Sequence, residues 1–145
     1  MKRTSLAGDS CPVARALDVF GDWWSLLIIR DASLGRRRFG EFQASLGLAK
    51  NILATRLRTL VERDILKTVP ASDGSAYQEY ALTKRGHDLF PVVVGLRQWG
   101  EAHLYARGEP HSVLLDQAGQ AVTHVGVGQR AARQQHVVDE HAHRV

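Results

Sequence analysis

Residues 39–82 read FGEFQASLGLAKNILATRLRTLVERDILKTVPASDGSAYQEYAL, and this stretch decides the fold. Phe39, Phe42 and Leu46 recur at helical spacing, and Gly47 follows as a turn residue. A longer helix is predicted over residues 49–64. With Leu53 at the centre of one face, Leu57, Leu60 and Asp64 fall within about 40° of it at 100° per residue. The opposite face carries Asn51, Thr55, Arg58 and Glu62. Residues 65–69 and 77–82 alternate as strands do, and the Asp73-Gly74 step between them predicts a hairpin. A short helix, a glycine turn, an amphipathic basic helix and a hairpin, in that order, make a winged helix-turn-helix. One face of the longer helix packs on the short helix; the other shows donors and cations to a major groove.

Reading outward, Ser10-Cys11-Pro12 opens a first helix, with Ser10 or Cys11 as its cap and Pro12 at its first turn. Val13, Leu17 and Phe20 follow at helical spacing. After Gly21, Asp22 caps a helix over residues 23–34. That helix is apolar nearly all round, which predicts the buried centre of the domain, and Gly35 ends it. Thr83 caps a last long helix, to about residue 106, with Leu89, Val92, Val93, Leu96, Trp99 and His103 on one face and a kink at Pro91. Residues 1–9 are polar and expected to be flexible. Residues 107–145 read as an extension: a weak hairpin from residues 113–115 and 121–127 around 117–120, then a tail over 129–145 expected to be disordered. The fold class is therefore mostly α with a small β-hairpin wing, on a domain of residues 10–106.

Composition agrees. A chain of 145 residues makes about one domain, and 44% hydrophobic with 23% charged residues is a globular balance. The longest apolar run, residues 26–29, is far short of the roughly 18 residues of a membrane span, and the N-terminus has no apolar secretory core. The single cysteine, Cys11, cannot pair within the chain, which predicts a reducing, cytoplasmic setting. Net charge is +4, but residues 1–107 hold +5 and residues 108–145 hold −1. Residues 30–67 alone carry nine basic side chains against four acidic ones, a local footprint for a polyanion.

Linked motifs carry a family resemblance. Residues 11–24 (CPVARALDVFGDWW) with Leu27-Ile28-Ile29-Arg30-Asp31 look like the opening of HxlR-type winged-helix transcription regulators. Phe39-Gly40-Glu41-Phe42, then residues 53–60 (LATRLRTL), then residues 80–86 (YALTKRG) and Trp99-Gly100 match that family in the same order. The resemblance covers roughly residues 10–106. It implies a homodimeric bacterial regulator, with the dimer built from the first and last helices. The apolar face of the last helix is more than a small domain can cover alone, which fits.

The groove-facing residues are then Lys50, Asn51, Ala54, Thr55 and Arg58. Asn pairs bidentately with adenine and Arg with guanine, and Ala54 leaves room for a thymine methyl. Arg36, Arg37, Arg38, Arg56 and Lys67 are expected phosphate contacts. Residues 69–83 contain no Lys or Arg, so wing contacts fall to Lys67, Lys84, Arg85 or backbone N–H groups. The partner is double-stranded operator DNA. A plain surface helix is the competing explanation, which the adjacent hairpin disfavours, and a protein–protein module built on the same fold is a further rival.

Cys11 lies at a helix N-terminus, where the dipole favours a thiolate, with Arg15 one turn on. Some members of the resembled family sense oxidants, quinones or other electrophiles through an N-terminal cysteine, which makes Cys11 a candidate switch. A small apolar packing role is the alternative. A rival switch is an aromatic effector in an interface pocket lined by Phe20, Trp23, Trp24, Phe90 and Trp99. Five of seven histidines lie beyond residue 108, but His141 and His143 match no structural metal spacing, so no metal and no cofactor are expected. No phosphate-binding glycine loop or nucleophile motif is present, which argues against an enzyme. Asp22, Asp31 and Glu41 read as caps or surface charges.

Overall fold

The computed structural model describes residues 4–122 and the strand His136–Val138. Helix α1 (Pro12–Phe20) has Cys11 as N-cap and Pro12 at its start. Residues 4–9, expected to be flexible, are tied to it: the Leu6 N–H donates to Asp18 Oδ1 at 2.9 Å. The Arg15 Nε–H also reaches the Asp9 carbonyl. Helix α2 (Trp23–Ser33) starts where Asp22 Oδ2 accepts from the Ser25 N–H at 2.9 Å. Helix α3 (Phe39–Leu46) is capped by Glu41, whose carboxylate accepts from the Arg38 N–H at 3.0 Å. Gly47 then takes φ +64°, a left-handed turn that glycine enters without steric cost. Helix α4 (Lys50–Glu62) follows, and Asp64 (φ +59°) turns the chain into the hairpin of β1 (Leu66–Pro70) and β2 (Gln78–Leu82). The strands pair antiparallel, Leu66 opposite Leu82 and Thr68 opposite Tyr80.

The core is built where these elements meet. Ile28 and Ile29 of α2, Phe42 of α3, and Leu53, Leu57 and Leu60 of α4 are sealed from solvent together with Ile65 and Leu66. Burying such side chains contributes roughly 1.5–3 kcal/mol each. The leucines of the α4 face expected to pack do so, but α4 ends at Glu62 and Asp64, placed on that face, is exposed in the turn after it. Helix α2 is less uniform than expected: Ile28 and Ile29 are central, but Trp23 is 72% exposed. Asp31, read as a cap or surface charge, is fully buried on the same helix. Arg30 (2.9 Å) and Arg36 (3.6 Å) both pair with it, as a buried carboxylate requires.

The single long C-terminal helix expected over residues 83–106 is two helices. Thr83 Oγ1 accepts from the Gly86 N–H at 3.0 Å and caps the one-turn α5 (Lys84–His87). Pro91 has no N–H to continue that ladder, so the chain turns through Asp88 and Leu89 and restarts as α6 (Phe90–His103), with Pro91 in its first turn. The proline divides the helix rather than kinking it. Helix α6 packs on α2. Val94 is its buried residue, while Val92, Leu96 and Trp99 (60% exposed) form an outward stripe.

Beyond α6, β3 (Val113–Leu115) turns through Asp116, whose Oδ1 accepts from the Ala118 and Gln120 N–H groups. Leu115 bridges Ala121 and the Val122 N–H donates to the Leu114 carbonyl, the near half of the expected hairpin. The rest of the 121–127 strand lies outside the described residues. The tail was expected to be without structure, but β4 (His136–Val138) pairs with the other edge of β3. The remainder of the tail, with His141 and His143, lies outside the described residues.

Candidate nucleic-acid interface

Lys50, Asn51, Ala54, Thr55 and Arg58 are all exposed on α4, and Leu53, Leu57 and Leu60 are buried behind them. At 100° per residue the exposed face is centred near Asn51 and Arg58, and Lys50 and Ile52 flank it on opposite edges. Hydrogen bonds order the row. Thr55 Oγ1 donates to the Asn51 carbonyl at 2.9 Å, and Arg58 Nη2 donates to Thr55 Oγ1 at 3.4 Å. Ile52 is exposed as well, an apolar group beside the polar row that pattern reading missed. It lies about 100° off the packed face, which was the available signal.

The other expected cations are placed differently. Arg56 pairs with Asp22 at 3.4 Å and so joins α4 to the cap of α2. Arg36 serves the buried Asp31. Arg37 and Arg38 turn to the wing. Arg37 Nε donates to Glu79 Oε2 at 2.6 Å, and the Arg37 carbonyl accepts from the Tyr80 N–H at 2.7 Å. Arg38 pairs with Asp73 at the hairpin turn and lies 3.6 Å from Glu79. Glu79 is 2% exposed and also accepts from the Ser72 N–H (3.1 Å) and hydroxyl (3.0 Å). One buried carboxylate thus ties the N-terminal end of α3 to both arms of the wing. The sequence-based reading passed over Glu79, which alternates with the core residues Tyr80 and Leu82 and so falls on the face a strand pattern assigns to polar surface.

The electrostatics follow from these contacts. Arg37 first, then the Ser72 N–H, holds the Glu79 carboxyl below its usual range. The Ser75 N–H and hydroxyl, with Arg38, hold Asp73 at about 2. Asp73 in turn raises Arg38. Among the described residues no carboxylate pairs with Lys50, Arg58, Lys67 or Arg85, while Lys84 pairs with Asp88 at 3.0 Å.

The other candidates separate. Cys11 is exposed at the start of α1. Its backbone N–H donates to Asp9 Oδ1 at 2.8 Å, and Arg15 is held by the Asp9 carbonyl. Within one copy of the chain the five aromatics expected at an interface pocket do not enclose one. Phe20 belongs to the core, Trp23 and Trp99 face outward, and only Trp23 and Trp24 form a ring pair, at 5.9 Å. A cavity does lie between α2 and α6, but none of the five lines it. No cluster of metal-ligating side chains occurs among the described residues, and no described helix is long and apolar enough to cross a membrane.

Residues 19–107 match the model of the HxlR-like helix-turn-helix family. Rv3095 of Mycobacterium tuberculosis (strain H37Rv), an HTH-type transcriptional regulator not itself characterised, is 46% identical over 92 residues, 63% of this chain and 58% of its own. The chain thus spans somewhat more than half the length of that relative. The crystal structure of PA1607, proposed to be a transcription factor, superposes with a TM-score of 0.78 at 54% identity, covering 90% of this chain and 92% of that one. The redox regulator HypR in its oxidised form superposes at 0.59 with 30% identity, covering 66% of this chain and all of HypR's. With a winged helix-turn-helix in place and an exposed polar row on α4, the chain belongs to the HxlR-like helix-turn-helix family of transcriptional regulators.

Proposed function

We propose that two copies of the chain bind a pseudo-palindromic operator, each placing α4 in one of two successive major grooves about 34–36 Å apart. The observation that carries this is the exposed Asn51–Thr55–Arg58 row on α4, opposite three sealed leucines and beside a clamped wing. Asn51, Thr55 and Arg58 meet base edges, and Ala54 and Ile52 meet thymine methyls. Lys50, Lys67 and Arg85, which no carboxylate among the described residues neutralises, meet phosphates. Arg36, Arg37, Arg38 and Arg56 position the elements instead. Dimerisation uses the apolar groups that α1 and α6 leave exposed, Val13 on one and Val92 and Trp99 on the other.

Oxidation or electrophile modification of Cys11 switches this binding. The support is its exposure at the first turn of a helix assigned to the dimer, together with the likeness to a redox regulator. Footprinting on the upstream region of its own gene, with and without diamide, tests both parts. A symmetric footprint lost on oxidation in the wild type, and retained in Cys11→Ser, is the expected result. No footprint at nanomolar protein would refute the operator reading, and an oxidant response unchanged in Cys11→Ser would refute the switch.

A further inference from the structure

The cavity between α2 and α6 has about 350 Å³ of space. That is within the size range of small-molecule pockets, and at roughly 30 Å³ per water-sized group it suits a body of about ten non-hydrogen atoms. Its floor is apolar: Leu26 and Leu27 of α2 meet Val93 and Leu96 of α6. Its far wall comes from the chain after α6, where the Tyr105 and His111 rings meet at a tilt of 56° with centres 4.9 Å apart. Arg97 fixes that wall by donating from Nη1 to the Ser112 carbonyl (2.9 Å) and hydroxyl (3.2 Å).

Charge decides what would enter. Arg30 and Arg97 line the cavity with one acid, Glu101. Glu101 lies 3.7 Å from Arg97 and offsets it. Arg30 shares the buried Asp31 with Arg36, so two guanidinium groups serve one carboxylate. One positive charge is left over at the rim of an apolar chamber. We propose that this cavity binds a small monocarboxylate with an apolar, ring-sized body. The body fills the leucine and valine floor, and the carboxylate accepts from the Arg30 and Arg97 N–H groups that their present partners leave unused. Such a ligand would touch both α2, which packs on α4, and the segment that follows α6.

Gly100 makes the test clean. It lines the cavity, and a Cβ built on it meets nothing within 4 Å. Gly100→Leu therefore fills the chamber while improving helix propensity. Binding of phenylacetate to the full chain is followed by calorimetry and by NMR shifts of Leu27 and Tyr105. Expected are saturable binding, binding about tenfold weaker for neutral phenylacetamide, and loss of phenylacetate binding in Gly100→Leu with an undiminished melting temperature. Equal affinity for acid and amide would overturn the anion assignment. Binding that survives Gly100→Leu would overturn the site. Leu27 and Tyr105 shifts that follow protein concentration and ignore phenylacetate would show a second copy filling the cavity, and would overturn the proposal.

Discussion

Replacing Arg58 with alanine separates base reading from plain charge attraction. Arg58 is exposed on α4, its Nη2 lies 3.4 Å from Thr55 Oγ1, and no carboxylate among the described residues pairs with it. Its guanidinium is thus free to enter a groove without first breaking an ion pair. The variant should fold normally, because no buried contact is lost. A bidentate contact to guanine is worth about 1–3 kcal/mol. At 1.4 kcal/mol per tenfold, this is a loss of roughly 5- to 140-fold in operator affinity. The assay is fluorescence anisotropy on operator and scrambled duplexes across a salt series. The operator affinity should fall, the scrambled affinity should hardly move, and the slope of log K against log salt should stay the same. A phosphate contact behaves otherwise, weakening both duplexes alike and reducing the slope by about one. That second pattern would refute the placement of Arg58 at a base edge.

Further outcomes follow from the packing. Glu79→Gln should leave the helical signal intact but loosen the wing, seen as faster proteolytic nicking between residues 72 and 77 and weaker operator binding; Glu79→Asp should recover part of both. Gly86→Ala should lower the melting temperature sharply, because the added Cβ would lie 2.2 Å from the Ile65 carbonyl oxygen. Overpacking of this kind costs about 1–3 kcal/mol or more, and each kcal/mol shifts a small domain by about 4–8 °C. Asp73 titrates at about 2 when folded, below its unfolded value near 3.8, and Glu79 is displaced the same way. Depressed carboxyls stabilise above the unfolded value, and that contribution is lost as pH falls through the folded one. The melting temperature of the wild type should therefore drop more than that of Asp73→Asn between about pH 4 and pH 2.

Local pattern accounts for most of the fold. The period of Leu53, Leu57 and Leu60 is visible in the chain, as are the Asp22 cap, the Gly47 turn and the Asp73-Gly74 step, because each acts over a few residues. Two misreadings had non-local or competing causes. Thr83 is a good cap and residues 84–106 have helical spacing, which favours one kinked helix; the missing N–H of Pro91 outweighs that periodicity and divides it. Asp31 follows a run of buried apolar residues and was read as a cap or surface charge. Its burial rests on Arg30 beside it at 2.9 Å together with Arg36, which the turn after α2 brings to 3.6 Å. The recognition row was legible because it is helical surface. The clamp at Glu79 was not, because Arg37, the cation that closes it, is 42 residues away along the chain.

The same distinction changes what the basic stretch means. Nine cations between residues 30 and 67 suggest a broad phosphate-binding surface, yet five of them are engaged by carboxylates within the fold: Arg30, Arg36, Arg37, Arg38 and Arg56. Arg63 donates to the Asp18 and Val19 carbonyls at the end of α1. Lys50, Arg58 and Lys67 are left, and Arg85 joins them from α5. If Arg58 reads a base, three phosphate cations remain per subunit and six per dimer. At about 0.9 counterions per phosphate contact, the salt slope of operator binding is then about −5. Were Arg37 and Arg38 also on phosphates, ten contacts would steepen it to about −9. A measured slope near the steeper value would mean that the wing clamp opens on DNA and that its arginines exchange Glu79 and Asp73 for phosphate. A slope near −5, unchanged in Arg38→Gln, would mean that these side chains act by holding the wing where the groove requires it.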